Sequence, residues 1–141
     1  MKYLGIDLGS KTLGLARGTG SIAFAWTTLR FQEHNFNDAI TQLQVIITTY
    51  QPNVVVFGYP LNMNGTVGDS AQTVLNFIDK FKLIANNATL EIVLQDERRT
   101  TYSSQQILIK TNVSRQKRKT FKDQLAAAII LQSYFNKINQ T

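Results

Sequence analysis

The sequence predicts an α/β fold: an antiparallel three-strand meander joined to two parallel strands in one mixed five-stranded sheet, with helices on both faces. Three observations carry this reading. Three short apolar runs separated by tight turns open the chain, between residues 3 and 29. Two further apolar runs, 54–57 and 90–94, are each preceded by a segment with helical spacing of its apolar residues. Strands separated by helices imply parallel crossovers, which join the later strands to the meander.

Taken in order, Tyr3–Leu8 is an apolar run that includes an acidic residue, Asp7. Gly9-Ser10-Lys11 is a tight turn into a second strand, Thr12–Arg17, and Gly18-Thr19-Gly20 leads to a third, Ser21–Leu29. Over 36–50, Phe36, Ala39, Ile40, Leu43, Ile46, Ile47 and Tyr50 share one helical face, and Pro52 helps to end the helix. Val54-Val55-Val56-Phe57 suits a strand covered on both sides. An Asn- and Gly-rich loop follows, then a helix over 70–85. Leu90–Leu94 is a strand ending at Gln95-Asp96-Glu97. A further helix is expected from near Thr100, a basic loop over 115–119, extended or mobile, and a last helix over 121–138. No linker-like stretch divides the 141 residues, so one domain over 1–141 is expected.

Composition narrows the chemistry. There is no Cys and one His, His34, which excludes a disulfide framework, a thiolate nucleophile and a multi-histidine metal cage. Any metal is then held mainly by oxygen ligands, the preference of Mg2+ or Mn2+. No apolar run is long enough to span a membrane and no export signal precedes Asp7, so the cytoplasm is the expected location. The net charge of +6 points to a polyanionic partner, nucleic acid first. Its densest part is Arg115-Gln116-Lys117-Arg118-Lys119-Thr120-Phe121-Lys122, which suits phosphate binding or an ordinary solvated loop.

Acidic residues number nine, and a few stand where solubility does not require them. Asp7 ends the first strand, Asp96 and Glu97 end the last, and Asp123 falls in the expected first turn of the final helix. Carboxylates from different strand ends can converge at one sheet edge, and a helix laid across it can bring another. Clustered carboxylates repel unless a cation neutralises them, and two divalent ions so held would serve phosphoryl transfer. Each acid also has a plainer role. Asp7 suits a turn cap, Asp123 a helix N-terminus, and Asp96 and Glu97 a solvated strand exit. On the final helix Asp123, Ala126, Ala127, Ile130, Leu131 and Tyr134 share a face, and the small pair permits close approach to the sheet.

Four segments in order resemble the YqgF/RuvX family of bacterial nucleases, in the ribonuclease H-like superfamily. They are Leu4 to Ala16 at the opening, the Gly58-Tyr59-Pro60-Leu61-Asn62-Met63-Asn64-Gly65 loop, Asp96-Glu97-Arg98 with Thr100-Thr101, and Asp123 to Gln132. The match runs over about residues 1–136. The resemblance implies a ribonuclease H-like fold, and an acidic site of Asp7, the Asp96-Glu97 pair and Asp123. Adjacent strand residues face opposite sides, so one of the pair is the ligand; Glu97 is preferred, with Asp96 the alternative. It implies hydrolysis that leaves a 5′-phosphate and a 3′-hydroxyl. Two departures are local: Ala16-Arg17-Gly18-Thr19 lacks an acid that members often carry, and Arg99 replaces a commonly apolar residue. Actin-like ATPases open with a similar Asp-x-Gly but need two such domains.

Around the acids, Ser10 and Lys11 suit a substrate phosphate, or a plain hairpin turn. Asn62, Asn64 and Thr66 suit nucleic-acid contact or the shaping of their own loop. Arg98 suits a scissile phosphate or a neighbouring acid. Arg115, Lys117, Arg118 and Lys119 are the phosphate-binding candidates of the basic run. Trp26 is expected in the core and His34 on the surface, far from the motifs. The expected function is a metal-dependent endonuclease, in processing of the 5′ end of pre-16S ribosomal RNA. The alternatives are a Holliday junction resolvase on branched DNA, for which a two-fold homodimer is expected, and a non-catalytic nucleic-acid-binding module. A third is an interaction protein with ribosome-associated or transcription partners.

Overall fold

A computed structural model of the chain describes residues 1–85, 90–97 and 115–140. Five strands form one sheet in the order β3-β2-β1-β4-β5: β1 (Tyr3–Leu8), β2 (Thr12–Gly18), β3 (Ala23–Arg30), β4 (Val54–Tyr59) and β5 (Glu91–Asp96). The first three pair antiparallel, and β4 pairs parallel with β1 and with β5. This is the mixed sheet that the sequence predicts. The helices are α1 (Phe36–Tyr50), α2 (Asp69–Ala85) and α3 (Arg115–Ile138). No described helix is long and apolar enough to cross a membrane.

The two faces of the sheet carry separate cores, because alternate strand residues point to opposite sides. Leu4, Ile6, Leu13, Leu15, Val55 and Phe57 pack against Leu43 of α1 and Phe77 and Phe81 of α2. Ala16, Val54 and Val56 pack against Ala127, Ile130, Leu131 and Phe135 of α3. Val54 to Phe57 are buried on both sides, as a strand between two helical layers requires. Asn35 caps α1 by accepting from the Asp38 N–H at 3.3 Å.

Several expectations are corrected. The third strand runs over Ala23–Arg30 rather than 21–29. Residues 115–119 are not a loop: α3 starts at Arg115. Asp123 therefore lies more than two turns inside α3, and the helix has no acid in its first turn. The dipole-offsetting role does not apply there, since that effect fades beyond the first turn. The reason is composition: Arg, Gln and Lys are good helix formers, so the basic run extends the helix instead of ending it. Trp26 is half-buried against the α1 side, with the Arg17 guanidinium 4.3 Å from its ring centre. The helix expected near Thr100 and the Arg98 side chain lie outside the described residues.

Candidate active site

The candidate site is built on the α3 face, around Asp7. Gly5 faces α3, where a Cβ would come within 2.8 Å of Leu131 Cβ. Asp7 is two residues further along β1 and projects to the same side. Its neighbours across the sheet carry no side chain. Gly14 of β2 pairs directly with Asp7, and the Ile6–Phe57 register sets Gly58 of β4 on its other flank. Asp7 therefore stands between two gaps.

The two gaps hold the other acids. A Cβ on Gly14 would overlap the Asp123 carbonyl and come within 3.1 Å of Asp123 Cβ. A Cβ on Gly58 would lie 2.9 Å from Glu97 Oε1 and 2.5 Å from Ile130 Cδ1. The α3 backbone thus seats Asp123 directly on β2. The Glu97 N–H donates to Tyr59 O at 3.4 Å, prolonging the β4–β5 ladder by one residue and turning the Glu97 carboxylate over Gly58. Asp7, Glu97 and Asp123 are each half-buried. Asp96 is exposed, one residue out of phase with Glu97 along the strand.

The electrostatics follow from this crowding. The Asp7 carboxyl is pushed up to about 6, by burial first and then by Asp123, with Lys122 opposing the rise. Glu97 is pushed up to about 7, by burial first, then by Asp7 and Asp96. Among the described residues no three acidic or histidine side chains close on one point. Instead Asp7 couples to Asp123 on one side and to Glu97 on the other. The three acids form a half-buried row of oxygen donors that repel one another, the donor type that hard cations prefer.

The other expected site residues are dispersed. Ser10 and Lys11 are exposed in the β1–β2 turn, just beyond the strand end that carries Asp7. Asn62 works within its own loop: its Nδ2 donates to Thr66 Oγ1 at 3.0 Å, its N–H to Thr66 O at 3.0 Å, and its Oδ1 lies where a Gly68 side chain would stand. Asn64 Oδ1 accepts from the Thr66 hydroxyl at 2.6 Å. Loop shaping is the role these contacts describe. Arg115, Lys117, Arg118 and Lys119 occupy the opening turns of α3, N-terminal to Asp123. His34 is not remote from the motifs, since its N–H donates to Ser10 O at 2.8 Å. Sequence reasoning missed Gly14, Gly58 and Lys122. Glycine inside a strand was the available signal, because it marks close backbone approach.

A family model described as "RuvX: Holliday junction resolvase" matches residues 1–137. A protein of Mycoplasma capricolum subsp. capricolum, named "Putative pre-16S rRNA nuclease", is 42% identical over 135 residues, covering 93% of this chain and 92% of its own length. A Bacillus subtilis protein of the same name is 38% identical over 144 residues, covering 99% and 100%. Among solved structures, a Fowlpox virus resolvase with Holliday junction DNA superposes with a TM-score of 0.66 at 13% identity, over 99% of this chain and 100% of that one. RuvC of T. thermophilus in complex with a Holliday junction substrate gives 0.57 at 14%, over 99% and 97%. At those identities the superpositions establish the fold, which is ribonuclease H-like.

Proposed function

The chain belongs to the RuvX family of nucleases, and we propose that it is a divalent-metal-dependent endonuclease acting in the cytoplasm on the 5′ end of pre-16S ribosomal RNA. The observation that carries this reading is the acidic row: Asp7, flanked by two glycines, with Asp123 closing over one and Glu97 over the other. A binding module gains nothing from three half-buried acids that repel the phosphate they face.

In this reading Asp7, Asp123 and Glu97 would hold a divalent cation, Mg2+ or Mn2+, with Asp7 as the anchor. Such a cation would supply a nucleophile at neutral pH and charge stabilisation at the leaving oxygen. The chain does the positioning. Gly14 and Gly58 let the flanking carboxylates reach Asp7, and α3 fixes Asp123 through its backbone rather than through a flexible loop. Ser10 and Lys11, beyond the same strand end, and the basic turns of α3 are the candidate phosphate contacts. Hydrolysis leaves a 5′-phosphate and a 3′-hydroxyl.

The family description and the precursor-RNA names of the relatives favour different substrates. Both are settled by one comparison: cleavage of precursor 16S RNA and of a four-way DNA junction, side by side, with Mg2+, with Mn2+ and with chelator. Cation-dependent cleavage of the RNA alone is expected. Cleavage of the junction in paired symmetrical cuts would transfer the assignment to resolution, with a two-fold dimer as its requirement. No cleavage of either would leave nucleic-acid binding as the function.

A further inference from the structure

We propose that the cavity beside the ends of β1 and β4, on the α1/α2 side of the sheet, receives one unpaired nucleobase of the strand whose phosphate lies against Asp7; this rests on the nuclease reading above. The cavity holds about 240 Å³. That is below the roughly 300–1,000 Å³ of pockets for drug-sized ligands, and it suits a single flat ring system. A base pair is too large for it.

Its position ties it to the acidic row. Leu8, the residue after Asp7, lines the cavity, and successive strand residues point to opposite faces. The carboxylates and the cavity therefore lie on the two sides of one strand end, with the Gly9-Ser10 turn, exposed at Ser10, as the ridge between them. A polynucleotide crossing that ridge would bring a base to the cavity close to the phosphate at Asp7.

The lining chemistry selects a base over a phosphate. Leu8 and Pro60 give apolar surface, and the hydroxyls of Ser10, Ser70 and Thr73 give hydrogen-bonding groups. Thr73 Oγ1 donates to Asp69 O at 2.9 Å and keeps lone pairs to accept from an exocyclic amine. No Lys, Arg, Asp or Glu is among the described lining residues, so the cavity offers a phosphate no partner with the fixed charge of Lys or Arg. His34 and Phe36 are also among the lining residues, and their rings stand 6.0 Å apart and almost perpendicular, at 85°. His34 is exposed, and its backbone sits at φ 62°.

The test uses the full chain and an RNA hairpin carrying the precursor 16S 5′ end, with 2-aminopurine moved one position at a time through the strand. Binding is read by fluorescence in chelator, so that cleavage does not enter. His34→Gly removes the ring and relieves the backbone; Ser70→Trp fills the cavity from the first turn of α2. One position close to the scissile phosphate should report burial in the parent protein and lose that signal in both variants. An abasic residue at that position should weaken parent binding about tenfold, as loss of a stacked base does. It should weaken His34→Gly by less than twofold further. Equal abasic penalties in the parent and both variants, all folded by circular dichroism, overturn the inference. Cation-dependent cleavage without the abasic coupling sinks the cavity alone. The coupling without cleavage sinks the nuclease reading alone. No binding to any RNA sinks both.

Discussion

On its α1/α2 face the sheet is covered by bulky side chains, Phe57, Phe77, Phe81 and Leu43 among them, all fully or almost fully buried. On its α3 face it presents Gly5, Gly14, Ala16, Gly18 and Gly58, and α3 answers with Ala127 and Ala128. A side chain on Gly5, Gly14, Gly18 or Gly58 would strike α3, at Leu131, Asp123, Phe135 and Ile130 respectively. The first face gains stability from buried apolar area. The second lets a helix lie almost on the strands, and so delivers carboxylates to one another at a distance that longer side chains would prevent. The bulkier core lies on the first face and the three proposed site acids on the second.

The largest expected effect tests the chemistry side. Asp7→Asn keeps the shape and removes the central charge, so cation-dependent cleavage should fall by about 10²–10³-fold or more, as when a transition-state electrostatic partner is lost. The same variant should melt at a higher temperature than the parent without added cation, because a buried charge of raised pKa is gone. Parent-like turnover, measured on the same preparation, would move the catalytic anchor away from the α3 face.

Next come paired substitutions on the two faces. Phe77→Ala opens a cavity in the bulky core and should cost about 3–5 kcal/mol in denaturant unfolding. Turnover of its folded fraction should stay near the parent value. Gly14→Ala adds one methyl against the Asp123 backbone and should cost about 1–3 kcal/mol or more. It should also reduce cation affinity by displacing Asp123. If the two variants lost activity in the same proportion to stability, the division between faces would fail.

A pH series sharpens the same contrast. Asp7 and Glu97 are pushed up to about 6 and about 7, above ordinary carboxylates. Each is favourable in its protonated form, so its contribution is complete below about pH 4 and is lost as pH rises through those values. Without cation the unfolding free energy contributed by this face should fall between about pH 4 and pH 7, by an amount on the order of a few kcal/mol, and the melting temperature should fall with it. Added Mg2+ should restore it more at pH 7.5 than at pH 5. A Mg2+ effect independent of pH would show that the cation binds elsewhere.

The smallest effect concerns the sheet edge. Gln132 of α3 accepts from the Ala23 N–H at 2.9 Å and donates to Ser21 O at 3.0 Å, fastening α3 to the start of β3. Gln132→Ala should cost about 1 kcal/mol and increase hydrogen exchange at the Ala23 amide, without altering cation affinity.

Periodicity and turn residues were enough to read five strands, their succession along the chain and the span of α1, because alternation and helical spacing are local properties of the chain. They also placed acids at strand ends, and motif resemblance grouped Asp7, Glu97 and Asp123. The start of α3 was misread for a local reason: a basic run is equally compatible with a loop and with helix. That error put Asp123 in a first turn, where its charge would have had a generic purpose.

The sequence by itself determined the α/β class, the absence of thiolate and multi-histidine donor sets and the family resemblance, since these rest on composition, period and motif order. Only the tertiary structure decided that Gly14 and Gly58 flank Asp7, that α3 seats Asp123 against β2, and that His34 meets Ser10 beside a cavity. Those facts depend on sheet register and on how closely a helix approaches it. A glycine reads alike in a sequence whether a neighbouring backbone fills its empty side or water does; packing across the sheet makes the difference.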